Sequence, residues 1–599
     1  MQYNDFIKVI TDPTKRYVDK SLFIKEIIES GNDPILITAP RRWGKSVNIS
    51  MLKTFLEIKV DKDGKPINRK ETDEYKVFFE SYHNLSIRNQ NIKVGQDLKT
   101  GKPISKPAKD IQGQYPVIYI SLSVKGSSYD KIEQGILSQM YKSFQVHDYL
   151  LNSDKLKSYQ KDEIQKFISK DLSLITTDIK HGLGILSNAL HTHFGKRVWV
   201  LIDEYDTAIS ESFLKLEEKD FSNTMDLLGE IFKYGLKENN SLEKGVVTGI
   251  LRLAKTGLFS TGTNNWTEHS ILSGDYNKYY GFSKTEVETL VKEASLSDQI
   301  KEVLNEIEQL YNGYTFSNTD EKRYNPFSLA NYIRNAFKRS DNEWVSSGTL
   351  DNILSNIILQ EQLGGNDFNE LLARKELKEQ IDGQINLKQK NFDKKTLYSI
   401  LVHSGYLTTK STEEKGVYKI SIPNTEVKEA FEKRIQDWIS FEYKVSNPNS
   451  YIKILFEEPI ENFENKIANT LLNNTSFHDI KNENSYHMLM NGILIGGANG
   501  RYTIKSNIES GKGRFDNVII PRSKEQIDTA IILEYKVAES EDKLEEKAKE
   551  AMQQIIHQKY AEPILSQNEH ITAVRRIGMA FYKKNVFIYE GRWITLLHK

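Results

Sequence analysis

Pro34-Ile35-Leu36-Ile37-Thr38-Ala39-Pro40-Arg41-Arg42-Trp43-Gly44-Lys45-Ser46 reads as a short apolar strand, a tight turn and the start of a helix. The closing Gly-Lys-Ser is the end of a P-loop that touches phosphate and metal. Lys45 would reach the β/γ-phosphates, Ser46 would ligate Mg²⁺, and the helix N-terminus would hold negative charge. The pattern G-x-x-x-x-G-K-[ST] asks for a glycine where Ala39 stands. Taken alone, the loop is balanced between a nucleotide site and a surface turn before a helix.

A second segment shifts that balance. Val198-Trp199-Val200-Leu201-Ile202-Asp203-Glu204 is a continuous apolar run closing on two carboxylates. A parallel strand covered on both faces has this composition. At its end Asp203 would hold Mg²⁺ through water and Glu204 would polarise an attacking water. Tyr115 to Leu122 and Gly245 to Arg252 supply two more strands for the same sheet. Thr248 sits where a residue sensing the γ-phosphate belongs. Arg252 is balanced between facing that phosphate, in cis or from a neighbouring subunit, and starting a solvated helix.

The length of 599 residues implies roughly two to four domains. Lys+Arg and Asp+Glu are both 82. The zero net charge excludes a generally basic, histone-like binder but not a local nucleic-acid groove. No cysteine is present, which excludes disulfides, thiolate zinc sites and cysteine nucleophiles and fits a cytoplasmic protein. Met1 to Phe6 has no basic-then-apolar leader pattern. No apolar run approaches the roughly 18 residues of a membrane span.

The expected organisation is an α/β P-loop domain over 1–285, a helical, winged-helix-like middle domain over 286–450 and a second α/β domain over 451–599. Lys59 to Gln114, polar and poor in apolar periodicity outside Val77-Phe78-Phe79, reads as a surface insertion. Thr396 to Tyr406 reads as a helix ending at Gly405, and Val417 to Ile422 as a strand. This is either a winged helix or an ordinary helical linker. Phe456 to Asn473 and Ser485 to Leu494 read as helices, followed by strands at 501–504, 517–520, 530–534, 577–582 and 585–589.

In that last domain Gly511-Lys512-Gly513-Arg514-Phe515-Asp516 opens one strand and Leu533-Glu534-Tyr535-Lys536 closes the next. Adjacent strands would bring Asp516 and Glu534 together, and two close carboxylates repel unless a cation joins them. Mg²⁺, with oxygen ligands and retained waters, is the natural guest. Lys536 lies two residues after Glu534, on the same face of the strand. There it would orient a metal-bound water and stabilise charge on a phosphate, as phosphodiester hydrolysis requires. Glu483 would project from the preceding helix toward the same metal. Gln554 and the Lys559-Tyr560 pair would meet substrate phosphates. His487 is read as a packed helix residue rather than a ligand.

Together these segments resemble a known bacterial family. Pro40 to Asn48, Leu201 to Asp206, Thr248 to Arg252 and Gly281-Phe282-Ser283 look like its AAA-ATPase-like domain. Tyr311 to Tyr314, Tyr324 to Ser328, Ser404 to Thr408 and Pro423 to Val427 continue the match. Glu483-x-x-Tyr486-His487, Gly511 to Asp516, Glu534-Tyr535-Lys536 and Gln554 to Tyr560 look like its C-terminal PD-(D/E)XK nuclease-superfamily domain. The family's own loop has Pro-Arg-Arg-aromatic-Gly-Lys-Ser, so Ala39 no longer counts against ATP.

The resemblance implies a P-loop core and a restriction-endonuclease-like core in one chain. Arg41, Arg42, Trp43, Gly44, Lys45, Ser46 and Val47 would form the ATP–Mg²⁺ loop, and Asp203 and Glu204 would serve hydrolysis. Asp516 and Glu534 would hold the nuclease metal, Mg²⁺ with Mn²⁺ as a second candidate, and Lys536 would be the catalytic lysine. Phe515 stands where the superfamily's name has proline, a variation this family shares. The implied activity is an ATP-regulated nuclease on nucleic acid, DNA first, in defence against phage or mobile DNA. Arg252 invites a homo-oligomer. The alternatives are a nucleotide-switched sensor or assembly protein that binds nucleic acid or protein without cutting, and an ATPase motor that does not need its C-terminal domain.

Overall fold

The computed structural model describes residues 5–12, 16–81, 83–96, 102–170, 174–253, 266–294, 300–316, 321–339, 371, 374–387, 393–442, 445, 447–474, 483–498, 501–510, 513–522 and 527–595. The chain packs as two compact units, Met1–Ile353 with Lys378–Thr425, and Leu354–Leu377 with Glu426–Lys599.

The first unit is built on a parallel sheet of five strands. These are β1 (Ile35–Thr38), β2 (Val117–Ser121), β3 (Val198–Asp203), β4 (Leu242–Gly249) and β5 (Thr267–His269), in the order β2-β3-β4-β1-β5. All six residues of β3 are buried, as a strand covered on both faces requires. The crossing order matters for the site. β4 lies between β1 and β3, so the P-loop and the Asp203-Glu204 corner flank the end of β4. That end carries Thr248, in register with Ile37. The expected strand over 245–252 stops at Gly249, where the chain turns to pair with the loops beside it.

Helix α1 (Lys45–Leu56) follows the P-loop directly. Its cap is Gly44 at φ +87°, a left-handed conformation that glycine takes without steric cost. Residues 59–114 depart from the expected surface insertion. Phe78 is fully buried, stacks on Phe6 at 5.3 Å and meets Phe55 edge-on at 5.2 Å. Ile87, Ile92 and Ala108 are also fully buried. The segment closes part of the core with single anchors spread over short elements, which leaves no periodic signature. Farther along, the helix read at 396–406 spans Lys394–Ser404 and ends at Gly405, φ +87°. It leads into an antiparallel ribbon of Thr408–Ser411 and Val417–Ser421.

Two of the buried histidines in this unit, His147 and His403, are held by hydrogen bonds. His147 Nδ1 lies 3.0 Å from the Tyr149 hydroxyl, and His403 Nε2 donates to the Asp382 carbonyl at 3.0 Å. Burial lowers the pKa of each from 6.5 to about 4. The folded unit therefore stays neutral there while the unfolded chain takes up protons. Stability is lost as pH falls from about 6.5 to about 4, by roughly 3 kcal/mol per residue at the limit. His403→Gln is expected to flatten the fall in thermal midpoint between pH 7 and pH 5, read by calorimetry.

The second unit holds a mixed sheet, β6 (Tyr502–Ser510), β7 (Gly513–Pro521), β8 (Thr529–Val537), β9 (Ala573–Tyr582) and β10 (Asn585–Glu590), in that order. Only the β8–β9 pair is parallel, because helix α3 (Leu544–His557) crosses between them. Val518, Ile520, Ala530 and Ile532 pack with Met552 and Ile555 of α3 in one apolar cluster. Helix α2 (Glu483–Ala498) precedes the sheet. The single helix read at 456–473 is two, Asn449–Glu457 and Ile460–Asn474. Pro459 lacks the N–H that a continuing helix needs.

Candidate functional site

In the first unit the P-loop closes on itself. Lys45 Nζ donates to the carbonyls of Ala39 and Pro40 at 2.8 and 2.7 Å. Burial lowers its pKa to about 8, against the opposing pull of Asp206, Asp203 and Glu204. A buried ammonium at the head of α1, with carboxylates nearby, fits a phosphate that arrives with a divalent cation to offset those carboxylates.

Asp203 is 2% exposed and accepts from the Thr248 hydroxyl at 2.5 Å. Burial raises its pKa, while hydrogen bonds from Thr248 and Ser46 oppose the rise. Thus Ser46, Asp203 and Thr248 form one connected set. Glu204 adopts φ +53° and donates its N–H to Asp203 Oδ1 at 3.0 Å. A left-handed conformation in a non-glycine residue costs energy and is held by its surroundings. Here it turns the chain sharply after the strand.

Arg252 lies in an ion pair with Glu268, its Nε donating to Oε2 at 2.7 Å, and Gln384 donates to the same oxygen at 3.0 Å. Arg41 is half-buried and adds positive charge beside Lys45. Val47 lies half-buried in the first turn of α1.

Two residues act differently from the loop around them. Arg42, at φ +63°, places its guanidinium 4.1 Å above the Phe327 ring. Trp43 is 1% exposed and packs edge-on against Tyr314 at 4.7 Å and beside Phe316 at 4.9 Å. Gly281, at φ +73°, backs the indole, and a Cβ there would lie 2.2 Å from its Cζ3. Both loop residues thus anchor the P-loop to the segment around 281–327. Gly281→Ala meets backbone strain and overpacking together and is expected to cost about 2–4 kcal/mol. The midpoint shift in urea measures it.

Sequence reasoning assigned no role to Asp206. It is 3% exposed and its Oδ2 accepts from the N–H groups of Ile250 and Leu251 at 3.0 and 2.7 Å. Burial pushes its pKa up to about 6, opposed by those two N–H groups. It fixes the turn that follows Thr248. A third carboxylate three residues after Asp203 was the available signal.

In the second unit Asp516 and Glu534 lie on neighbouring strands. Glu534 Oε2 accepts the Asp516 N–H at 3.2 Å. Glu534 is 2% exposed, and burial followed by the Asp516 charge raises its pKa to about 8. Gln554, from α3, donates to Glu534 Oε1. Lys536 is partly exposed and its charge opposes the rise at Glu534.

Asp516 Oδ2 accepts the Tyr535 N–H at 2.6 Å, and His487 Nε2 sits 2.8 Å from Oδ1. His487 is therefore not merely a packed helix residue. Behind it Asn491 lies 3.3 Å from Nδ1, and Asn517 joins Asn491 to the Tyr535 hydroxyl. The spacing of Glu483 and His487, one helical turn apart, was the signal for it. Glu483 opens α2, and its side chain lies outside the described residues, as do Gly511 and Lys512. Among the described residues no group of three or more His, Asp or Glu is arranged to hold a metal ion. The Asp516–Glu534 pair still fits one, because a cation would relieve the repulsion that raises Glu534.

Comparison with known proteins agrees with both halves. Residues 2–91 and 94–259 match the family model described as a predicted AAA-ATPase, and residues 481–591 match that of the PD-(D/E)XK nuclease superfamily. The chain carries an AAA-ATPase-like domain followed by a PD-(D/E)XK nuclease-superfamily domain. Most of 59–114 falls inside the first match, in keeping with its place in the core.

An uncharacterized protein in the vnfD 5′ region of Azotobacter chroococcum mcd 1 is 26% identical over 250 residues, 41% of this chain. The match spans 44% of that relative's length. The Walker-type ATPase of Pyrococcus abyssi aligns over 70% of this chain and 97% of its own, at 14% identity and a TM-score of 0.33. Among the described residues no helix is long and apolar enough to cross a membrane.

Proposed function

We propose that the chain is an ATP-binding and ATP-hydrolysing protein whose C-terminal domain is a divalent-metal-dependent nuclease, DNA being the first candidate substrate. The observation that carries this reading is the Asp516–Glu534 pair, with Glu534 buried and raised to about 8 and Lys536 two residues on. Asp516 and Glu534 would hold Mg²⁺ or Mn²⁺, with Glu483 as a further candidate ligand. When bound, the ion would supply an activated water and draw charge from the phosphate.

The protein's own groups set the rest. Gln554 fixes the Glu534 carboxylate and His487 fixes that of Asp516. Lys536 orients the attacking water and balances charge as the P–O bond to the leaving oxygen breaks. In the ATPase domain Lys45 and Ser46 would hold the phosphates and their Mg²⁺. Asp203 and Thr248 would set that ion's water shell, and Glu204 would orient the attacking water. Arg41, Gly44 and Val47 complete the loop. Arg42 and Trp43 shape it from behind, and Arg252, held by Glu268, stands beyond β4.

The ATPase regulates the nuclease in this reading, a pairing suited to defence against phage or mobile DNA in the cytoplasm. We keep 1–285, 286–450 and 451–599 as its functional division, and a homo-oligomer as its working form. The test is cleavage of plasmid and linear DNA with Mg²⁺, with and without ATP. Cleavage that persists in Asp516→Ala overturns the site.

One observation favours the alternative, a domain that binds nucleic acid without cutting. Both oxygens of Asp516 already have partners in His487 and the Tyr535 N–H. That reading predicts duplex binding with no metal-dependent cleavage.

A further inference from the structure

Three buried polar side chains lie beside the carboxylates of the second unit. Asn491 is on α2, Asn517 on β7 and Tyr535 on β8. Burying a carboxamide or a phenol costs free energy unless its polar atoms are paired. Leucine and phenylalanine would fill the same space without that demand, so a polar network here needs a reason. Asn517 and Tyr535 each stand one residue from a carboxylate, Asp516 and Glu534. Successive side chains of a strand leave on opposite faces, so both point away from the carboxylates' face. Helix α2 packs on β7 and β8 from that side. Helix α3 covers the carboxylates' own face, where Gln554 donates to Glu534.

The hydrogen bonds run in one line from the far face back to Asp516. The Tyr535 hydroxyl donates to Asn517 Oδ1 at 2.7 Å, and Asn517 Nδ2 donates to Asn491 Oδ1. Asn491 Nδ2 lies 3.3 Å from Nδ1 of His487, one helical turn back, and His487 Nε2 lies 2.8 Å from Asp516 Oδ1. A neutral imidazole has one N–H and one bare nitrogen, and a carboxamide has one donor end and one acceptor end. The sense of one bond therefore fixes the others. With Asn491 donating, Nδ1 is the bare nitrogen and the ring proton sits on Nε2, aimed at Asp516. A proton on Nδ1 would face the Asn491 amide N–H, donor against donor. A bare Nε2 would face Oδ1 and require a proton on Asp516. Asp516 Oδ2 already accepts the Tyr535 N–H at 2.6 Å, and such bonds favour the charged carboxylate. The Tyr535 ring meets the imidazole edge-on at 5.3 Å, so the ring plane is held along with the tautomer.

We propose that Asn491, Asn517 and Tyr535 are positioning residues. They hold His487 as the neutral Nε2–H tautomer and, through it, hold the Asp516 carboxylate where a divalent ion would meet it. The proposal rests on the nuclease reading for the ion but not for the hydrogen bonds. The three side chains act through His487 and ligate nothing themselves. Partners that orient a metal-binding group set its affinity, and losing one typically costs about tenfold to a hundredfold.

The test uses the full chain with isotope-labelled histidine, free of metal, and reads the imidazole nitrogen resonances. His487→Gln assigns the His487 pair by its loss. Wild type is expected to show a protonated Nε2 and a bare, hydrogen-bonded Nδ1. Asn491→Leu should move the Nδ1 resonance to that of a free ring nitrogen. Tyr535→Phe removes one oxygen and leaves the ring packed, and should move the same resonance part of the way. Calorimetric titration of Mg²⁺ without nucleotide gives the consequence. Asn491→Leu is expected to bind about tenfold to a hundredfold more weakly, and Tyr535→Phe to lose less. Thermal unfolding checks that each variant is folded, and Tyr535→Phe carries the test if Asn491→Leu does not fold.

A proton on Nδ1 in wild type, alone or together with one on Nε2, overturns the proposal. So does an Nδ1 resonance that stays put in both variants, or one that moves while Mg²⁺ affinity does not. If wild type shows the tautomer and the variants shift it, but wild type binds no Mg²⁺ and cuts no duplex, the network stands as the support of Asp516 and the nuclease reading falls. If wild type binds Mg²⁺ and cuts, and the variants bind the ion equally well, only the network falls.

Discussion

Lys536→Ala is expected to lower Mg²⁺-dependent phosphodiester cleavage by at least about a hundredfold in kcat, the usual scale for losing one group that stabilises transition-state charge. The fold should tolerate the change, because Lys536 is partly exposed at the end of β8. Glu534→Gln is expected to abolish cleavage by a different route. It keeps shape and a hydrogen-bonding group beside Gln554 but removes the metal-binding charge.

The pH dependence separates the two variants. Burial and the Asp516 charge raise Glu534 to about 8, so metal-free protein carries a proton there at pH 7. A metal must expel that proton. Divalent affinity should therefore rise with pH up to about 8, about tenfold per unit, and level off above it. Lys536→Ala keeps that rise and Glu534→Gln loses it. Calorimetric titration of Mg²⁺ at several pH values is the measurement. A flat profile in wild type would sink the assignment of Glu534 as a ligand.

Much of both sites was legible in the chain because their chemistry requires particular residues at strand ends. Gly44-Lys45-Ser46, Asp203 and the Glu534-x-Lys536 pair all follow short apolar runs, and the structure puts them at the ends expected of buried strands. Topology was not legible. Nothing in the residues says that β4 lies between β1 and β3, and that order is what brings Thr248 against Asp203. Side chains with two plausible lives were harder still. Trp43 stands inside a nucleotide-binding motif, yet its indole packs on Tyr314 and Phe316, more than 250 residues away in sequence. His487 looked like helix packing because its partner, Asp516, comes from a strand 29 residues later. Long-range pairing decides both, and periodicity carries no record of it.

Trp43 also explains why the P-loop has an arginine and an indole where shorter side chains would suffice. With Arg42 stacked on Phe327 and Trp43 wedged between Gly281 and Tyr314, a loop that moves on filling must move the 281–327 segment with it. Packed interfaces respond to such shifts by discrete rearrangement rather than by gradual deformation.

The position of Lys45 sets the last expectation. Its ammonium is held by two loop carbonyls, with its pKa at about 8, below the ordinary lysine value. At pH 7 the folded protein bears the cost of a buried charge, and that cost shrinks as pH rises from about 8 toward the unfolded value. A bound triphosphate would reverse the shift, because anionic oxygens favour the charged lysine. Nucleotide binding should therefore take up about half a proton at pH 8 and close to one at about pH 9, and affinity should fall as pH rises above about 8. Titration calorimetry in buffers of different ionisation enthalpy reads that proton directly. Lys45→Ala is expected to remove the proton uptake, to lower ATP hydrolysis by at least about a hundredfold, and to leave the nucleotide-free thermal midpoint within a few degrees of wild type. The lost hydrogen bonds to Ala39 and Pro40 and the lost burial penalty act in opposite directions, which is why the midpoint should barely move. Hydrolysis that survives the substitution would place the ATP phosphates somewhere other than this loop.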